Sequence, residues 1–151
     1  MQHRISSGVI VEHRNRILLV RHVRPRRYDF WVAPGGGVQG SEDLSAAAVR
    51  EVREESGLEV AATELLYIEE LLQPGIRHCK FWFRGRLLGG ELSTAAPEAQ
   101  AEYITEAAWL LRDELRGKTV FPPVLESSYW VDTKLGTNGP MHLGIRHMEF
   151  W

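Results

Sequence analysis

Three glutamates carry the clearest chemical potential in this sequence. At about 100° per residue, Glu51, Glu54 and Glu55 fall on one sector of a helix, with small Ala47 among them. Ala48, Val49 and Val52 fall on a neighbouring sector suited to a core, and Arg53 points to solvent. Like charges three and four residues apart cost a helix roughly 0.2–0.5 kcal/mol per pair, and only Arg50 lies close enough to help Glu54. A bound cation would remove that repulsion. Carboxylates clustered without Cys or His suit hard, oxygen-seeking ions such as Mg²⁺ or Mn²⁺. Gly35-Gly36-Gly37 precedes the helix and lets backbone approach a ligand closely. Spacing alone leaves two readings open, a solvated acidic face and a metal site.

The surrounding pattern supplies elements to position these groups. Asp43–Ser56 reads as the helix, with Gly57 at its end. Ser6–Glu12 and Arg16–His22 read as strands joined by a tight turn at His13-Arg14-Asn15, the second buried on both faces. Arg21–Tyr28 reads as a basic loop and Phe30–Ala33 as a short strand stopped by Pro34 and the glycines. Glu64–Leu72 and Ile76–Leu88 read as strands around Gln73-Pro74-Gly75. In the second of these, His78, Lys80, Trp82 and Arg84 alternate with Cys79, Phe81 and Phe83, which predicts an inward apolar face and an outward polar one. Ser93–Thr105 reads as a loop or weak helix, and Ala107–Leu111 as a last core strand before a helical turn at Arg112–Leu115. Phe121–Trp130 reads as a second helix and Met141–Trp151 as a terminal strand. The expectation is one strand-rich α/β domain spanning residues 1–151.

Composition excludes several classes. Lys and Arg number 18 against 20 Asp and Glu, a formal net charge of −2, so bulk charge does not hold this chain on nucleic acid. Hydrophobic residues make up 44%, enough for a real core. The single cysteine, Cys79, forms no internal disulfide and no zinc site, and it reads as a core residue. The apolar runs are too short to span a membrane, and MQHRISSGVI lacks the apolar core of a signal peptide. A reduced, cytoplasmic setting is the expectation.

The stretch from Gly36 to Leu58 is the most specific feature. It reads Gly36, five residues, Glu42, seven residues, then Arg50-Glu51-Val52-Arg53-Glu54-Glu55-Ser56-Gly57-Leu58. This resembles the signature of the Nudix hydrolases, whose specified positions it fills throughout, and the strand order extends the resemblance to about residue 115. Residues 116–151 form an extension to which the resemblance assigns no role. The resemblance implies an α/β/α sandwich around a mixed β-sheet. It implies hydrolysis of a phosphoanhydride in a nucleoside diphosphate linked to another group, with divalent metal help. Carried over, Glu51, Glu54 and Glu55 are metal ligands and the Gly36 carbonyl a further one, while Glu42 and Arg50 form a structural ion pair. Pro74, sixteen residues after Leu58, resembles the ADP-ribose pyrophosphatases, so ADP-ribose or a nucleotide sugar ranks ahead of an oxidised nucleoside triphosphate.

Some family members use a distal glutamate, before the last core strand, as general base or extra ligand. Here Glu98, Glu102 and Glu106 are the candidates, and Glu102 ranks first because it is neither locked to the strand nor out in the turn after Pro97. Arg24, Arg26 and Arg27, with Arg21, offer guanidinium groups for phosphate, against a plain solvated loop. Tyr28 could stack on a base, and Trp82, on the polar face, is a candidate exposed ligand contact. Phe30 and Trp31 suit the core better. Phe150 and Trp151 need burial, for which a homodimer interface is one solution. The expected partner is a small nucleotide. An RNA 5′-end pyrophosphohydrolase is the second enzyme reading, disfavoured by the near-neutral charge. A non-catalytic ligand-binding regulator is the third, disfavoured because every signature glutamate is present.

Overall fold

The computed structural model describes residues 1–136 and 139–150. Its elements run β1 (Gln2–His13), β2 (Arg16–Arg24), β3 (Tyr28–Val32), β4 (Gly35–Gly37), α1 (Leu44–Ser56), β5 (Leu58–Gln73) and β6 (Ile76–Gly90). They continue with α2 (Pro97–Ala101), β7 (Ile104–Leu111), β8 (Val120–Phe121), α3 (Tyr129–Leu135) and β9 (Met141–His147). The strands form one curled mixed sheet in the order β8-β3-β2-β1-β6-β5-β9, with β4 on β1 and β7 on β2. β1 runs parallel to β6, as β3 does to β8 and β5 to β9, while the hairpins are antiparallel. The fold is therefore α/β with a mixed sheet.

Both faces of the central strands are covered. Val9, Val11 and Leu18 pack with Ala48, Val52, Leu58 and Val60 under α1. Ile10, Ile17 and Leu19 face the other way, onto Trp31, Leu66, Tyr67 and Trp82. The unbroken aliphatic runs of β1 and β2 reflect this double burial.

Helix α1 is set by its caps. Asp43 stands just outside it as N-cap, its carboxylate accepting from the Ala46 N–H at 2.8 Å. Gly57 ends it at φ 77°, a left-handed conformation that a side chain would strain, and its N–H donates to the Arg53 carbonyl at 2.9 Å.

The structure corrects several expectations. The basic stretch 21–28 is not a loop: β2 runs to Arg24 and β3 begins at Tyr28, leaving a three-residue turn with Arg26 at φ 64°. Arg21 pairs with Asp29 across the two strands at 2.7 Å, which favours the ladder over a loop. The glycines 35–37 form β4, because a backbone without Cβ atoms can lie against Gly8 of β1. The 93–105 stretch, by contrast, is as read, a loop with a short helix, α2, started by Pro97 and anchored by buried Ala99 against Val20 and Ile104. The helix expected over 121–130 is instead a 3₁₀ turn at Pro123–Glu126 followed by α3, because Ser127 leaves helical space at φ −136°. The terminal strand stops at His147, and Trp151 lies outside the described residues.

Strand β6 turns out opposite to its sequence reading. Trp82 is only 1% exposed, and its indole N–H donates to Glu69 Oε1 at 3.0 Å. The Trp82 side of β6 faces a cleft inside the curl of the sheet, while Cys79 is only half-buried on the other side. Alternation identifies two faces but not which one is covered, since a curled sheet encloses polar groups that the sequence cannot assign to a cavity.

Candidate active site

Helix α1 delivers the acidic residues. Glu51 and Glu55 are buried and Glu54 is half-buried, so the cluster is not a solvated acidic face. Arg50 organises it. Its guanidinium donates to Glu42 Oε1 at 2.6 Å, to Glu51 Oε1 at 3.0 Å, to Glu54 Oε2 at 3.1 Å and to the Gly37 carbonyl at 3.1 Å. One side chain thus ties the β4 loop to the helix and holds two of the carboxylates. The Glu42 carboxyl lies below the ordinary range, first because it accepts from Arg50 and then from the Gln39 N–H. Gly36 lies close against Glu51: a Cβ there would fall 2.6 Å from the Glu51 carboxyl carbon, so the carboxylate would have to shift.

Glu55 is the least satisfied group. One of its oxygens accepts from the Gly35 N–H at 3.3 Å, and the other is buried with no hydrogen-bond partner. Burial, then the charges of Glu102 and Glu51, pushes its carboxyl well above the usual carboxylate range. A buried carboxylate oxygen without a partner among like charges has the chemistry to accept a cation.

Glu102 reaches the same place from another element. Ligand atoms of His22, Glu55 and Glu102 all lie within 4.8 Å of one another. Glu102 caps α2, and Tyr103 at φ 60° turns the chain into β7. Although much of the residue is open to solvent, its carboxyl is raised by local burial and then by Glu51. Glu98 stays exposed in the first turn of α2, and Glu106 is engaged by Arg21 at 3.5 Å.

No sequence signal marks His22 or Lys80: His22 ends a strand read as buried on both faces, and Lys80 is one polar residue in an alternating strand. A register shift between Arg21 and His22 re-aims the imidazole. Its Nδ1 lies 2.9 Å from the Glu102 carbonyl, which only accepts, so Nδ1 carries the proton. Burial lowers His22 to about 4, against a raising contribution from that carbonyl. The ring is therefore neutral at neutral pH. Lys80 lies opposite Glu69 in the β5–β6 ladder, with its ammonium 4.3 Å from the Trp82 ring centroid. Burial holds that ammonium below its ordinary range, and Glu69 and Glu55 are the first to oppose the shift.

His22, Gly35 and Lys80 also border a cleft of about 190 Å³. Its remaining walls include Phe30, Trp82, Phe121 and Phe150. Phe150 lies against Phe30, Phe121 and Tyr28 of its own chain, so it is partly buried without a dimer interface. The arginine turn stands apart from the cleft lining. Arg24 lies 4.9 Å over the Tyr103 ring, and Arg26 and Arg27 are exposed. Pro74 is exposed in the β5–β6 turn and does not line this cleft.

The glycine loop, capped helix and carboxylate cluster together define a protein class. The NUDIX domain family model matches residues 1–128, and the chain belongs to the Nudix family of hydrolases. It is 34% identical over 111 residues to the human 8-oxo-dGDP phosphatase NUDT18, covering 74% of this chain and 33% of that protein. It is 44% identical over 66 residues to the RNA pyrophosphohydrolase of Caulobacter vibrioides, covering 43% of this chain and 37% of that one. The chain thus spans about a third of the length of the curated relatives it matches. Among solved structures, a NUDIX hydrolase from Nitrosomonas europaea superposes with TM-score 0.78 at 22% identity, covering 98% of this chain and 81% of that one. An ADP-ribose pyrophosphatase from Streptococcus suis gives TM-score 0.66 at 20% identity, covering 95% and 98%. No helix of the described residues is long and apolar enough to cross a membrane.

Proposed function

We infer that this chain is a divalent-metal-dependent pyrophosphohydrolase that cleaves a phosphoanhydride bond in a nucleoside diphosphate derivative. The observation that carries this reading is the buried, unpartnered Glu55 oxygen within a cluster of oxygen donors on a Nudix helix. The donor set fits Mg²⁺ or Mn²⁺: Glu51, Glu54 and Glu55 would hold the ion, with the Gly36 carbonyl as a further ligand. A bound ion would neutralise pyrophosphate charge and lower the pKa of a coordinated water.

The chain's own residues do the rest. Arg50 keeps Glu51 and Glu54 at fixed positions, which restricts them to one geometry. Glu102, raised by burial and by Glu51, is suited to take a proton from the attacking water. The Glu102 carbonyl fixes the His22 tautomer at the border of the cleft. Lys80 lines the cleft beside Trp82 and feels the charge of Glu55, and its ammonium is suited to a phosphate oxygen. Arg24, Arg26 and Arg27 remain candidate contacts for the distal part of a longer substrate. A cytoplasmic location fits the free Cys79.

One observation favours an oxidised purine nucleotide as a second reading within this class, the similarity over 74% of this chain to an 8-oxo-dGDP phosphatase. The test is a panel of ADP-ribose, nucleotide sugars, 8-oxo-dGDP, 8-oxo-dGTP and 5′-triphosphorylated RNA, with Mg²⁺, with Mn²⁺ and with chelator. Metal-dependent release of a nucleoside monophosphate from one compound supports the reading. Turnover confined to phosphomonoesters, or full turnover after exhaustive chelation, overturns it.

A further inference from the structure

The matched family domain ends at residue 128, yet one wall of the cleft comes from beyond it. Strand β9 pairs with β5 from Tyr67↔Met141 to Leu72↔His147, and the Met148 N–H then donates to the Leu72 carbonyl at 2.8 Å. Arg146 pins the same segment from the side. Its Nε lies 3.4 Å from Glu69 Oε2, and its guanidinium lies 4.8 Å from the Phe121 ring centroid. The chain leaving β9 is thereby led over the cleft.

Phe150 then lies parallel to Phe30, with centroids 5.4 Å apart and planes at 5°, and edge-on to Phe121 at 75°. Phe30 also stacks on His22 at 5.0 Å and 8°, and His22 belongs to the cluster with Glu55 and Glu102. A path of flat rings thus leads from the acidic cluster to Phe150. A nucleotide has matching ends, anionic phosphates and a flat base with a π-face. At about 190 Å³ the cleft falls below the roughly 300–1,000 Å³ of pockets that enclose a whole ligand. It suits one ring system, with the phosphates outside it on the acidic helix.

We propose that Phe150, from the segment after β9, is a specificity-determining residue that forms the nucleobase wall of the cleft together with Phe30 and Phe121. This rests on a nucleotide being the substrate class. It goes further in assigning part of base recognition to a residue, Phe150, that lies outside the matched family domain.

Binding in the absence of turnover separates this proposal from the hydrolase reading. Calorimetry with Mn²⁺ would compare α,β-methylene GDP with methylene diphosphonate, on the unaltered chain, Phe150→Ala, Phe150→Leu and Phe150→Trp, with circular dichroism checking the fold. Removing the ring should weaken binding of the methylene GDP by about tenfold or more, and Phe150→Trp should restore it. Phe150→Leu keeps apolar bulk without a π-face and should weaken methylene GDP binding by a similar factor, which decides the question should the alanine variant fail to fold. Methylene diphosphonate should bind all variants alike. Unchanged or tighter methylene GDP binding, or an equal loss for both ligands, would overturn the assignment. A chain that binds the nucleotide through Phe150 but hydrolyses no compound of the panel would refute the hydrolase reading and leave this one standing.

Discussion

Glu55 is fully buried beside two other carboxylates, and its behaviour is governed by that placement. Its folded-state pKa is raised, so the stability it contributes is fully present below the ordinary carboxylate range and is lost as pH rises through the raised value. Glu55→Gln should therefore raise the melting temperature of the chelated chain near neutral pH and do little near pH 4. Thermal unfolding across that range checks it, and a lower melting temperature at neutral pH would show that the Glu55 charge is already compensated. His22 works in the opposite direction. Its pKa is lowered to about 4, so the neutral buried ring contributes stability above its ordinary range that is lost as pH falls toward 4. Replacing His22 with Phe should flatten the melting curve between pH 6.5 and 4, and an unchanged acid slope would assign that slope to other groups.

Two further expectations concern turnover. Glu54→Gln should cut kcat far more than it alters stability, since Glu54 is only half-buried. Glu102→Gln should lower the rate by about 10²–10⁴ with little change in KM if this carboxylate takes the proton. Steady-state kinetics against metal concentration separates the roles, because a lost ligand raises the metal requirement and a lost base does not. A near-normal rate for Glu102→Gln would move the base to Glu54 or Glu51.

At the scale of elements, the β4 loop and α1 act as one unit. Arg50 joins Gly37 and Glu42 to Glu51 and Glu54, and Gly36 lies against the Glu51 carboxyl. Gly36→Ala would force the loop and Glu51 apart, so metal-dependent turnover should fall steeply. Expression and far-ultraviolet circular dichroism should change little, because the caps at Asp43 and Gly57 are untouched. Preserved turnover in Gly36→Ala would mean that the loop can yield without moving Glu51. These elements are the ones most legible in sequence. The capping residues, the apolar spacing and the glycines all act locally, within the 23 residues from Gly36 to Leu58. Strand β6 was legible only as a strand. The direction of its faces depends on the curl of the sheet and on β9, which arrives from more than fifty residues away.

Across the whole molecule, the site joins α1, the end of α2, β2 and β6 on one side of the curled sheet, with the segment after β9 closing the cleft. An ion that binds only the folded arrangement stabilises it by mass action. Mn²⁺ should therefore raise the melting temperature of the unaltered chain in proportion to its logarithmic excess over Kd, and should do so much less for Glu55→Gln. Equal shifts in both would place the ion elsewhere.

Local sequence was enough to read the family signature, the helix with its terminal glycine, one strand buried on both faces and the acidic sector, because each is written in residues close together along the chain. It also narrowed the distal carboxylate to Glu98, Glu102 and Glu106, around the start of β7. Only the tertiary structure brought Glu102 and His22 beside Glu55, turned Trp82 and Lys80 inward, and laid Phe150 on Phe30. Those contacts join residues some thirty to one hundred and twenty positions apart, and no local periodicity encodes which distant surface a side chain will meet. That choice is made when the sheet curls and buries one face rather than the other.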